Sequence, residues 1–109
     1  MYIEIMEQEF RAASPLGQLV EAHRDALLAL SAEHHANNVR VFGSVVRGDD
    51  SLQSDVDFLV DFDEDDHPLD VLALVAAFEV ELGVKVDVCT PRGLRHFVRD
   101  EVLAVAVSL

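Results

Sequence analysis

Three stretches of the chain alternate apolar and polar residues, and three longer ones space their apolar residues as a helix does. Val39-Arg40-Val41-Phe42, Ser54-Asp55-Val56-Asp57-Phe58-Leu59-Val60 and Val84-Lys85-Val86-Asp87-Val88-Cys89 predict strands. In the second, Asp55 and Asp57 share one face while Val56, Phe58 and Val60 take the other, because successive side chains alternate. In the third, the valines oppose Lys85, Asp87 and Cys89. Ser14-Pro15, a capping residue before proline, opens a helix that Leu16, Leu19, Val20, His23, Leu27 and Leu30 carry to Asn37-Asn38. Pro68 opens a second, with Val71, Leu74, Val75, Phe78 and Leu82 on one face and Gly83 ending it. Thr90-Pro91 begins the last, where Leu94, Phe97, Val98, Val102 and Val105 form the apolar stripe. Helix, strand, strand, helix, strand, helix predicts an α+β fold, a small mixed sheet of three strands or more with helices covering one face.

Length confines this pattern to one domain, residues 1–109, with a modest core and no room for a separate substrate domain. Half of the residues are apolar, as a packed globule requires, yet the net charge is −13. Phosphate-backbone binding rests on Lys and Arg, so nucleic acid is excluded as the main partner and a protein, particularly a basic one, is favoured. The lone Cys89 has no partner for an internal disulfide, which fits a reducing cytoplasm. Met1-Tyr2-Ile3-Glu4-Ile5-Met6-Glu7 lacks the basic start and apolar run of a signal peptide, and no segment reaches the length of a membrane span.

The polar positions then acquire a chemistry. Gly43 ends the first strand where backbone amides and the Ser44 hydroxyl can approach phosphate oxygens, and Gly48 lets the chain turn back toward the sheet. Asp55 and Asp57 would repel each other without a cation. Magnesium suits them, since it takes oxygen ligands and is commonly held by one or two carboxylates plus substrate phosphates. If the third strand lies beside the second, Asp87 joins the pair, bridging a metal or accepting the proton of an attacking hydroxyl. Arg47 is placed either to contact phosphate or to form a surface ion pair.

Gly43-Ser44, ten residues, then Asp55-Val56-Asp57 resembles the G-S-x10-D-x-D signature of DNA polymerase β-like nucleotidyltransferases. Arg47-Gly48 within the gap is similar to the common G-S-x-x-R-G form, and the short chain with Asp87 in a late Val-rich strand looks most like the minimal nucleotidyltransferases. The resemblance covers roughly Val39 to Thr90. It implies a small mixed sheet with helices on one face and magnesium-dependent use of a nucleoside triphosphate, ATP. It places Asp55, Asp57 and Asp87 at the metal and Gly43 and Ser44 at the triphosphate. It further implies an antitoxin that neutralises a HEPN ribonuclease, in some members by transferring AMP to a tyrosine of the toxin. Two other readings are open: an antitoxin that neutralises by masking its partner, and nucleotidylation of a small molecule, which the absence of a substrate domain disfavours.

Several features carry bland readings. Asp61-Phe62-Asp63-Glu64-Asp65-Asp66 fails as a calcium loop, because glycine is wanted at Asp66 and glutamate at Leu72. It reads as a solvated loop whose acids favour the next helix start, with Asp61 a candidate outer-shell acid. Arg92, Arg95 and Arg99 align on one side of the last predicted helix, as a solvated face or as a contact to phosphate or a partner. His34-His35 read as solvated. The tail Val102–Leu109 is apolar nearly all round, which suggests a protein interface or oligomer contact, unless a terminal strand or buried helix end uses it.

Overall fold

The computed structural model describes residues 14–51, 53–64 and 68–109. The signal-peptide question and the acids Asp65 and Asp66 lie outside the described residues. The first predicted helix is two: α1 (Pro15–Ala22) and α2 (Arg24–Glu33), separated at His23. The break is tertiary in origin. No Gly or Pro stands there, but the His23 imidazole lies 2.6 Å from Glu81 on α4 (Pro68–Leu82). Ser14 caps α1 as expected, its hydroxyl accepting from the Gly17 N–H at 3.0 Å in a buried setting. Ser14→Ala should therefore cost about 1 kcal/mol, read as a melting temperature about 4–8 °C lower for a domain of this size.

The sheet has four strands, in the order β3-β2-β1-β4: β1 Ala36–Phe42, β2 Val56–Phe62, β3 Val86–Cys89 and β4 Val107–Ser108. β1 is antiparallel to both β2 and β4, while β2 and β3 are parallel and joined by α4. Asn37 and Asn38, expected to end a helix, sit inside β1. A register shift separates Asn37 from Arg40, Asn38 adopts φ 52°, and the two side chains bond Asp63 and Asp61. Local polar bonding thus stabilises a bulge where the sequence reads as a stop.

Val39 and Val41 of β1, Val56, Phe58 and Val60 of β2 and Val86 of β3 form one apolar face, meeting Leu16, Val20, Leu27, Leu74 and Phe78 from the helices. Phe58 and Phe78 pack edge to face, centroids 4.8 Å apart. The alternation in β2 is imperfect, since Leu59 is also fully buried on the Asp57 side of the strand.

Thr90-Pro91 does not start an α-helix. The Thr90 hydroxyl accepts from the Gly93 N–H at 3.1 Å and closes a single 3-10 turn, Pro91–Gly93, and α5 (His96–Val105) begins only after Leu94 and Arg95 run extended. The expected arginine stripe is therefore dispersed: Arg92 lies in the turn, Arg95 precedes the helix and only Arg99 belongs to it. Of the apolar tail, Val102 to Val105 ends α5 and Val107–Ser108 forms β4. Leu109 is buried and its N–H reaches the Val39 carbonyl at 2.9 Å, leaving Leu103 and Val105 exposed. Among the described residues no helix is long and apolar enough to cross a membrane.

Candidate active site

The pairing register brings the acidic residues together. Phe42 stands opposite Asp57, and Asp57 opposite Asp87, so the end of β1, the start of β2 and β3 converge on one side of the sheet. Asp57 lies between a glycine turn and a second carboxylate. Gly43 takes φ 77°, ψ −149°, a region open essentially to glycine alone. A Cβ there would collide with the Asp57 Oδ2 and stand 3.3 Å from its Cγ. The close approach of backbone to carboxylate is what selects glycine at this position.

Beyond Gly43 the chain forms one short helix, α3 (Ser44–Arg47), where a simple turn was expected. Val45 is buried and anchors it, Val46 and Arg47 N–H groups reach the Gly43 carbonyl at 3.1 Å, and Gly48 ends it at φ 80°. Asp50 ties this loop to α1, its Oδ2 accepting from the Leu16 N–H at 3.3 Å. Arg47 is exposed and its Nε donates to Asp49 at 3.1 Å, an exposed pair of little energetic weight. Its positive charge still acts on Asp57.

The electrostatics of the cluster are those of uncompensated negative charge. Asp57 is pushed up from 3.8 to about 6, first by burial, then by Asp87 and Asp55, with Arg47 opposing and a side-chain hydrogen bond to Asp87 adding to the rise. Cys89, cross-strand from Leu59 on the same side of the sheet, is also raised by burial and by the charges of Asp57 and Asp87. The alternation of Lys85, Asp87 and Cys89 signalled that side, but nothing in the sequence marked Cys89 as a neighbour of the acids.

Asp55 and Asp87 are exposed and Asp57 half-buried. Among the described residues no three His, Cys, Asp or Glu side chains are gathered closely enough to hold a metal ion by themselves. The donor set is nonetheless all carboxylate oxygen around one disfavoured charge. It suits a hard divalent cation whose remaining ligands come from water and substrate phosphate. Asp61 has no part in this. It lies four residues along β2 from Asp57, roughly 13 Å away, bound to Arg40 at 3.0 Å and to Asn38.

Comparison with known proteins identifies the family. The nucleotidyltransferase domain model matches residues 21–107. A protein adenylyltransferase, MntA, of Thermococcus cleftensis is 39% identical over 69 residues, 63% of this chain and 70% of that one. A solved structure described as a minimal nucleotidyltransferase is 46% identical, with a TM-score of 0.76 over 84% of this chain and 94% of its own. The MntA–HepT toxin–antitoxin structure shares the fold at 14% identity, with a TM-score of 0.63 over 81% of this chain and 69% of the other. The match spans both halves of the site, from the strand before Gly43 to the tail strand beside it, and the chain is thus a nucleotidyltransferase, a member of the nucleotidyltransferase domain family.

Proposed function

We propose that the protein is a magnesium-dependent adenylyltransferase that uses ATP to modify a HEPN-type toxin and so acts as its antitoxin. The observation that carries this reading is the registered Asp57–Asp87 pair set directly beneath Gly43. The adenylyltransferase name of the Thermococcus relative supports the donor and the protein acceptor, and the toxin–antitoxin fold match supports the partner class. The strong negative charge of the chain suits a basic protein acceptor and disfavours nucleic acid.

In this reading Gly43 and Ser44 hold the triphosphate, the Ser44 hydroxyl and the first amides of the turn facing its oxygens, with the Arg47 charge nearby. Asp55, Asp57 and Asp87, together with water and phosphate oxygens, would hold a divalent cation, which would supply neutralisation of the charge developing on the phosphates. An acceptor hydroxyl oxygen forms a bond to the α-phosphorus. The bond from that phosphorus to the bridging oxygen breaks, and pyrophosphate leaves with the electron pair. The hydroxyl proton passes to the Asp87 carboxylate, which lies at the exposed edge of the pair.

Intact mass measurement of the chain incubated with MgATP and the products of its flanking reading frames tests this directly. The expected result is a partner heavier by whole adenylyl groups, abolished by chelation. Neutralisation of a toxin with no mass change, and only at matched stoichiometry, would replace catalysis by masking.

A further inference from the structure

Helix α4 is apolar on both sides. Leu74, Phe78 and Leu82 are buried against the sheet and α2. On the opposite face Leu69, Leu72 and Val80 are 68%, 64% and 87% exposed, with exposed Ala73 and Ala76 between them. With 3.6 residues per turn, these five positions fall within about 100° of arc. Residues 69, 73, 76 and 80 follow the four-three-four spacing of an interhelical seam. A helix facing only water would be polar there.

The seam has a charge signature. Asp70 is exposed at its side, Glu79 and Glu81 are half-buried in bonds to the Val86 N–H and to His23, and α4 contains no basic residue. At its first turn, Pro68, Val71 and Leu72 join Val88, Cys89 and Arg92 around a pocket of about 750 Å³. Leu72 lies beside the seam on the same exposed face and also lines the pocket, so the two adjoin as one groove with room for a bulky apolar anchor.

We propose that this groove docks an amphipathic helix of a partner protein whose apolar stripe is flanked by Lys or Arg. A second copy of this chain would set Asp70 and a net charge of −13 against the same. The chain's own residues 1–13 would add Glu4, Glu7 and Glu9 against a single Arg11. Like charges facing each other across a packed seam oppose association, and opposite ones select it.

The test uses the full chain, free of nucleotide and metal, and two designed helical peptides with the same leucine seam, one flanked by Lys and one by Glu. The Lys-flanked peptide should bind and the Glu-flanked one should not. Ala76→Asp and Val80→Asp, both at exposed positions and checked for unchanged helix content, should each weaken binding at least about tenfold. Gln18→Asp, which adds the same charge on exposed α1, should leave it unchanged. Equal binding by all four proteins would overturn the proposal, since net charge alone would then explain attraction. So would a dimer in sedimentation that Ala76→Asp dissolves, or binding that appears only after residues 1–13 are removed. Because the measurement contains no nucleotide, failure here leaves the adenylyl-transfer test untouched.

Discussion

Asp57→Asn should lower adenylyl transfer by about 10²–10³-fold, the loss typical of removing one group that stabilises transition-state charge, while the metal-free protein becomes more stable at neutral pH. Both effects follow from the same geometry. Asp57 is half-buried beside Asp87 and Asp55, and its carboxyl is raised to about 6. The folded state therefore binds this proton more tightly than the unfolded chain does. The stabilisation is fully present below the ordinary value of 3.8 and is lost as pH rises through about 6. The wild-type melting temperature should fall between pH 5 and pH 8 relative to that of the Asn variant. Magnesium should narrow the gap at pH 8 by stabilising the wild type alone. Thermal melts of both proteins at the two pH values, with and without magnesium, read the sign. A variant with undiminished transfer, or a gap that widens toward pH 5, would remove Asp57 from the proposed site.

Gly43→Ala should be nearly as damaging to transfer and, unlike Asp57→Asn, should also destabilise the fold. The backbone at φ 77°, ψ −149° costs a side-chain-bearing residue about 1–3 kcal/mol. The new methyl would also displace the Asp57 carboxylate it strikes. Gly83→Ala separates the two causes. Gly83 also has positive φ, 72°, but a Cβ there meets nothing within 4 Å, and it ends α4 away from the acids. It should lower the melting temperature while leaving transfer intact. Equal transfer by both variants would show that the approach of Gly43 to Asp57 does not matter to the site.

These predictions rest unequally on what the chain announces. Gly43-Ser44 and Asp55-Val56-Asp57 were legible because a glycine at a strand end and carboxylates two apart are local signals, governed by backbone sterics and the two-residue period of a strand. The Ser14 cap, the core face of α4 and its end at Gly83 were legible for the same reason. Where local signals misled at the α1–α2 break and in β1, a distant partner had outweighed them: Glu81 lies against His23, and Asp61 and Asp63 bond the two asparagines. At Thr90 the competitor was local, since its bond from the Gly93 N–H closes a 3-10 turn where capping chemistry read as a helix start.

The sequence by itself determined the chemistry available to this protein, namely a Gly-Ser turn, three aspartates and a net charge of −13. Only the tertiary structure decided how it is assembled. The parallel β2–β3 pairing sets Asp87 against Asp57 across a crossover that no local pattern encodes, and the tail becomes β4 because the open edge of β1 has unpaired backbone groups to satisfy. For α4 the core face was legible, and packing of that face against the sheet and α2 leaves Leu69, Leu72 and Val80 facing outward.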